Sequence, residues 1–156
     1  MTTHHRFSIR LPKLQRWATY FALATVAVSG LVWSLLHDAL QAGWMQAEHR
    51  LLITHGIAAA ISLVIVGGLL PLHIRLAWSV RRNLASGIVA LSVMAILAAT
   101  GLLLYYGDEE WRNWVRWMHI GGGIVATLAI PAHVWLGKRR ATLARNAKGI
   151  PNSIDL

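Results

Sequence analysis

The sequence predicts an all-α membrane protein whose four transmembrane helices form an up-down bundle, and three observations lead to this prediction. Of the 156 residues, 56% are apolar and only 13% are charged, a composition too hydrophobic for a soluble domain. Four apolar runs are each long enough to cross a bilayer as a helix, which takes roughly 20 residues. Short charged segments separate these runs, and the basic residues are distributed unevenly among them, as in the loops of multi-pass membrane proteins.

The four apolar runs occupy nearly the whole chain, which leaves no room for a soluble catalytic domain. Each run is predicted to be helical, because an isolated strand would leave its backbone N–H and C=O groups unpaired in lipid. We place the four spans at about residues 17–36, 51–78, 84–106 and 111–137. Three regions follow from these spans: an N-terminal segment 1–16, a transmembrane domain 17–140 and a C-terminal tail 141–156.

The charges between the spans predict the orientation of the chain. Twelve of the fifteen basic residues lie in the N-terminal segment, in and just before the connection between the second and third spans (Arg75, Arg81 and Arg82), and from Lys138 onward. Basic loops remain in the cytoplasm, so we expect these three regions and both termini to be cytoplasmic. The other two connections contain five of the six acidic residues and are predicted to lie outside.

Net charge and cysteine content exclude several functions. A net charge of +9 could indicate nucleic-acid binding, but the basic residues lie at membrane edges and form no patch with aromatic partners. We therefore expect no nucleic-acid partner. The absence of cysteine excludes disulfides, thiol redox chemistry, iron–sulfur clusters and covalently attached haem.

The second half of the chain resembles a diverged copy of the first. Ser29-Gly30-Leu31, late in the first span, is matched by Thr100-Gly101-Leu102, late in the third. Pro71-Leu72-His73 closes the second span, and Pro131-Ala132-His133 closes the fourth. We interpret the halves as two repeated helical hairpins, although apolar membrane sequences can also resemble each other by chance.

Four histidines lie within the predicted spans, where polar residues are costly and are functional candidates by default. His55 and His73 are on the second span, and His119 and His133 are on the fourth. With alternating topology these two spans run parallel. His55 and His119 are therefore predicted to share the outer side of the membrane, and His73 and His133 the inner side.

Helical geometry allows each span to present both of its histidines in one direction. The 14 residues from His119 to His133 rise about 21 Å and end about 40° short of whole turns, and the 18 residues from His55 to His73 make five turns. Two neutral imidazoles from facing helices can hold a haem iron between them. The spacing between the two histidines is about one helical turn longer on the second span than on the fourth. Helix distortion at Gly67-Gly68, Pro71 or Pro131 could compensate for this difference.

Other residues near the histidines are candidates for contacts with such a cofactor. Arginines close to the span ends could pair with haem propionates, and glycines at the depth of the outer pair could admit a porphyrin edge. Interfacial anchoring of the arginines and close helix packing of the glycines are the alternatives. His37 and His49 are expected to be surface residues rather than parts of a quinone site. The candidate residues are Arg50, Arg75, Arg112, Arg116, Gly30 and Gly101.

Residues 16–140 resemble the four-helix b-type cytochrome subunits of bacterial formate dehydrogenases and hydrogenases. The residues that carry the resemblance are Thr54-His55-Gly56, Pro71-Leu72-His73, Met118-His119-Ile120, Pro131-Ala132-His133 and the end of the third span, Thr100–Tyr106. The resemblance implies two non-covalent haem b groups, a quinone or quinol, a periplasmic or membrane redox partner, and a place in the bacterial inner membrane. Several of those subunits take a haem ligand from their first span, whereas this first span has no internal histidine.

Together with this resemblance, the four histidines predict transmembrane electron transfer by a dihaem b-type cytochrome. The chain would be the quinone-reactive, electron-transferring subunit of an oxidoreductase complex. A histidine-lined proton or metal transporter is an alternative, although no Asp or Glu lies within a predicted span. A non-redox membrane anchor is another, with histidines that only form hydrogen bonds between helices.

Overall fold

The structure of this chain, a computed structural model, describes residues 13–80 and 84–146. All regular secondary structure in these ranges is helical. Four helices, α1 to α4, are long and apolar enough to cross a membrane. Parts of the predicted cytoplasmic charge, in residues 1–12, 81–83 and 147–156, lie outside the described residues. The helices are α1 Lys13–Ser34, α2 Met45–Val80, α3 Leu84–Tyr106 and α4 Glu109–Asn146.

The chain divides into two compact units, Met1–Ser79 and Val80–Leu156. The described part of unit 1 contains α1 and almost all of α2. Unit 2 contains α3 and α4, which pack against each other. Each unit is described below by itself.

A π-helical turn, Leu35–Ala39, extends α1 before the chain turns into α2. The Leu40 N–H closes it on the Leu35 carbonyl at 2.9 Å. Gln41 (φ 47°) and Gly43 (φ 66°) then adopt left-handed backbone conformations, which reverse the chain over a few residues. Glycine adopts such a conformation without the steric cost that a Cβ brings.

The turn between α3 and α4 depends on Gly107. Its N–H donates to the Leu103 carbonyl at 2.8 Å and so satisfies one of the last carbonyls of α3. A Cβ at Gly107 would lie 2.5 Å from that same carbonyl oxygen. Only glycine therefore fits this helix end, and α4 begins two residues later.

Several helices extend beyond the predicted spans. α4 continues to Asn146 and α2 begins at Met45, because polar residues next to an apolar run continue a helix when nothing breaks it. The predicted boundary between transmembrane domain and tail at residue 140 therefore falls inside α4. Pro71 and Pro131 lie inside α2 and α4, both of which continue past the proline.

The burial pattern is the reverse of that in a soluble protein. The buried residues in the described chain are small: Ala22, Ala58 and Ala126, with Ser29, Ser62 and Thr100 as the polar ones. Large apolar side chains are exposed along all four helices. A soluble monomer rarely exposes so much contiguous apolar surface, whereas membrane helices pack through small residues and present large ones to lipid.

Candidate functional site

His55 lies on α2 and is held by α1 of the same unit. Its Nδ1 lies 2.9 Å from the Val26 carbonyl oxygen and 3.3 Å from the Ser29 hydroxyl. The carbonyl can only accept, and the Ser29 hydroxyl donates its own proton to the Thr25 carbonyl at 2.6 Å. Both contacts therefore require the proton on Nδ1, which places the lone pair of the neutral imidazole on Nε2.

His119 lies on α4 and is held in the same way by α3. Its Nδ1 lies 2.8 Å from Oγ1 of Thr100. The Thr100 hydroxyl donates a hydrogen bond to the Ile96 carbonyl at 2.7 Å, so it accepts a hydrogen bond from Nδ1–H. His119 thus has the same tautomer as His55, with the lone pair on Nε2.

His133 lies 14 residues further along α4 and contacts the start of α3. Its Nδ1 is 2.9 Å from the Ser86 hydroxyl. A hydroxyl can donate or accept, so this bond fixes the position of the ring and is compatible with either tautomer. His55, His119 and His133 all use Nδ1 to bond to the preceding helix.

A glycine faces the edge of each of these rings. A Cβ built on Gly30 would lie 2.9 Å from Cε1 of His55, closer than real Cβ contacts. A Cβ on Gly101 would lie 3.5 Å from Cε1 of His119, and one on Gly87 would lie 3.4 Å from Cε1 of His133. Each histidine therefore contacts a Ser/Thr–Gly dipeptide, through Nδ1 at the hydroxyl and through Cε1 at the glycine.

We call these groups the three histidine clusters: Ser29-Gly30 with His55, Thr100-Gly101 with His119, and Ser86-Gly87 with His133. No family model, curated protein or solved structure matches this chain. The chemistry of the clusters themselves then indicates what they can bind. A neutral imidazole whose Nδ1–H is held by a protein oxygen offers Nε2 to a metal, which is the usual arrangement of metal-ligating histidines.

His73 lies on α2, 18 residues after His55, and its side chain lies outside the described residues. The spacing puts the two backbone positions on one face of α2, five whole turns apart. Glu48 and Ser62, each seven residues from His55, lie on this face too. Ser62 is 4% exposed, and its hydroxyl forms no hydrogen bond with another described residue.

The same seven-residue interval recurs on α4. Arg112, His119, Ala126 and His133 follow one another at this spacing, so they share a face to within about 20° per step. Ala126 is 7% exposed. Seven positions after His55 and seven after His119 the residue is small and buried: Ser62 in α2 and Ala126 in α4.

The two candidate arginines on α4 are well placed relative to His119. Arg112 lies two turns and Arg116 about one turn before it, on the same side of the helix. Arg112 is exposed and contacts Glu109 at 3.5 Å. The Arg116 guanidinium lies 5.4 Å from the centre of the Trp117 ring.

The two α2 arginines are placed differently. Arg50 precedes His55 by five residues and Arg75 follows His73 by two, which turns each of them about 140° to 160° away from the face of the histidines. Both are exposed. Their placement favours the interfacial role over contacts with a group bound at these histidines.

The partners of the histidines were not predicted from the sequence. Ser29 and Thr100 were recognised only as parts of a repeated motif, and Ser86-Gly87 was missed. A signal was present, because Ser86-Gly87 is a third Ser/Thr–Gly pair on an odd-numbered span. Gly56 and Gly121 follow the outer histidines closely along the chain, but a Cβ built on either of them meets no atom within 4 Å.

Metal-binding clusters and surface clefts are the other kinds of site to consider in the described residues. It contains no group of three or more His, Cys, Asp or Glu side chains that could hold a metal ion by themselves. A shallow cleft of about 460 Å³ at the start of α2 is lined by residues 44–47 and Arg50 and includes none of the histidines. The histidine clusters remain the main candidate site.

Proposed function

We propose that this protein is a transmembrane electron carrier that binds two haem b groups through His55, His73, His119 and His133. The observation that supports this best is the hydrogen bonding of Nδ1 in His55 and His119, which favours a proton on that nitrogen. A histidine in this tautomer would offer Nε2 to haem iron while protein oxygens hold its ring. A bound haem b supplies a one-electron couple between ferric and ferrous iron.

The chain's own residues would position these ligands. Val26, Ser29 and Thr100 hold the protons of the two imidazoles and so increase the basicity of Nε2. Gly30 and Gly101 leave the space in which the rings lie. The four histidines would fill the ligand positions of two haems, so the proposed role is electron transfer rather than reaction with oxygen or a substrate.

The pairing of ligands follows from the predicted topology. His55 pairs with His119 near the outer surface, and His73 pairs with His133 near the cytoplasm, in a bacterial inner membrane with both chain termini inside. The partners we propose are a quinone or quinol in the lipid and a periplasmic or membrane-bound redox protein. The chain would then be the electron-transferring subunit of an oxidoreductase complex.

The decisive experiment is a pyridine haemochrome assay on the protein purified in mild detergent. We expect two non-covalent haem b groups per chain. One haem per chain would show that only one of the two histidine pairs binds haem, and a colourless protein would refute the proposal. His49→Ala, which changes an exposed histidine of α2, is the control and should retain both haems.

Single histidine variants test the pairing. His73→Ala and His133→Ala should each remove the same haem and leave the other with an unchanged absorption spectrum. His55→Ala and His119→Ala should each remove the second haem and leave the first. If His73→Ala and His133→Ala removed different haems, the pairing derived from the topology would be wrong.

A second candidate is a membrane anchor without redox activity. The same hydrogen bonds favour it, because the bond from His55 to Val26 connects α1 with α2, and the bond from His119 to Thr100 connects α3 with α4. Such bonds contribute about 1 kcal/mol each in membrane proteins. This candidate predicts a protein that folds without haem.

A further inference from the structure

A second group of interacting polar side chains lies outside the histidine clusters, where α1 passes into the turn before α2. His37 is in the π-helical turn, and its Nδ1 lies 2.8 Å from Oε2 of Glu48 in the first turn of α2. The indole of Trp33 stacks on the imidazole at 4.7 Å between ring centres and 14° between planes. Single π-helical turns occur frequently at functional sites.

The contact with Glu48 determines what His37 can do. An ionised carboxylate only accepts hydrogen bonds, so the proton of the neutral imidazole is on Nδ1 and the lone pair is on Nε2. A histidine held in this way is a base, and the carboxylate stabilises the imidazolium that forms when Nε2 takes up a proton. The His37 side chain is 46% exposed and that of Glu48 is 14% exposed, so the ring can pass its proton to the surroundings.

The His37–Glu48 pair also lies close to a proposed haem ligand. Glu48 precedes His55 by seven residues, about 10 Å along α2 and on the same face of the helix. Exposed apolar residues flank the pair along the chain, with Leu35 and Leu40 on either side of His37 and Trp44 and Met45 shortly before Glu48. His37 lies near the end of a helical segment, Lys13–Ala39, that is long and apolar enough to cross a membrane, so a lipid-soluble partner can reach it.

We propose that the His37–Glu48 pair is the proton-exchanging part of a binding site for quinone and hydroquinone at this end of unit 1. This inference rests on the proposed electron-transfer function. Two features select the substrate class. The partner must be soluble in lipid, and it must exchange protons together with electrons, because a base would have no part in the reaction of a pure electron carrier.

The proposed reaction balances as follows. Oxidation of a hydroquinone breaks two O–H bonds and yields a quinone, two protons and two electrons. The electrons would go to two one-electron acceptors, for which the proposed function supplies ferric haem. Nε2 of His37 accepts the protons in turn and passes each to water, while Glu48 balances the charge of the imidazolium. In the reverse direction the same residues supply protons to a quinone.

The first measurement is the binding of decylubiquinone to the purified protein by isothermal titration calorimetry. We expect His37→Ala to weaken binding at least about tenfold and Glu48→Gln to preserve it, because the amide oxygen still accepts from Nδ1–H. His49→Ala is the matched control, an exposed histidine one residue from Glu48, and should bind as the unmodified chain does. Binding within twofold in all of these proteins would overturn the proposal.

The second measurement is the rate at which decylubiquinol reduces the haems. Glu48→Gln should slow this reduction about a hundredfold, the scale of general base catalysis, while dithionite still reduces the haems completely. Equal rates for Glu48→Gln and the unmodified chain would refute the assigned role of Glu48. A protein without haem would refute the proposed electron transfer, whereas quinone binding that depends on His37 would still be measurable by calorimetry.

Discussion

At the scale of residues, two adjacent atoms of the imidazole ring in each histidine cluster contact two adjacent residues of the neighbouring helix. Nδ1 and Cε1 are adjacent in imidazole, and they meet the hydroxyl and the glycine of a Ser/Thr–Gly dipeptide. The hydroxyl bonds to the ring nitrogen, and the missing side chain lets the ring approach the helix. One dipeptide thus sets the position of each histidine, and in the His119 cluster it sets the tautomer as well.

Thr100→Val should alter the electronic properties of the haem that we propose His119 holds, without removing it. Valine has the shape of threonine but cannot accept the Nδ1–H of His119, and a less basic ligand stabilises ferric iron less. We expect the midpoint potential of one haem to rise by tens of millivolts, equivalent to about 1 kcal/mol for a lost hydrogen bond. Potentiometric titration measures this shift.

Thr127→Val is the control for this experiment. The Thr127 hydroxyl donates to the Gly123 carbonyl of its own helix at 2.8 Å, so its loss should leave both potentials unchanged. Identical potentials in the Thr100→Val protein and the unmodified chain would contradict the role given to Thr100.

Gly30→Ala and Gly101→Ala should differ although both change a glycine that faces a histidine. The new Cβ would lie 2.9 Å from Cε1 of His55 in the first variant and 3.5 Å from Cε1 of His119 in the second. The first ring must move, at a cost of about 1–3 kcal/mol, whereas the second contact is of ordinary length. We expect reduced haem content and a lower melting temperature in Gly30→Ala only, and equal haem content in the two variants would count against the cluster geometry.

At the scale of elements, the sequence predicted the helices well and the contacts between them poorly. Apolar runs of about 20 residues specify a membrane helix almost by themselves, so all four helices were predicted. The Ser86–His133 contact and the π-helical turn were not predicted. Each depends on how far a helix is rotated or wound, and apolar sequence facing lipid on most sides contains little information about rotation.

Packing within unit 2 can be tested at neighbouring glycines of α4. A Cβ on Gly122 would lie 3.2 Å from Cδ2 of Leu97 on α3, whereas one on Gly121 meets nothing within 4 Å. Gly122→Val should therefore destabilise the α3–α4 contact by about 1–3 kcal/mol, and Gly121→Val should serve as the control with the same change in helix propensity. Thermal unfolding in one detergent compares them, and equal melting temperatures would show that α3 does not pack on Gly122.

At the scale of the whole molecule, the distribution of side chains is that of a protein dissolved in lipid. Small residues are buried and large apolar residues are exposed. Composition alone predicted this environment, because it depends on the sum of many residues and not on any contact. The orientation in the membrane depends instead on a few charges at the ends of the helices, and it stays a prediction.

The absence of cysteine makes this orientation directly testable, because a single introduced thiol has no background. Asp108→Cys and Arg140→Cys both place the thiol at an exposed position, the first in an acidic connection and the second among basic residues. If basic segments stay in the cytoplasm, a membrane-impermeant maleimide should label Asp108→Cys in intact spheroplasts and Arg140→Cys only after lysis. The opposite pattern would put both termini outside and move the His37–Glu48 pair to the cytoplasmic surface, where its protons would be exchanged with the cytoplasm.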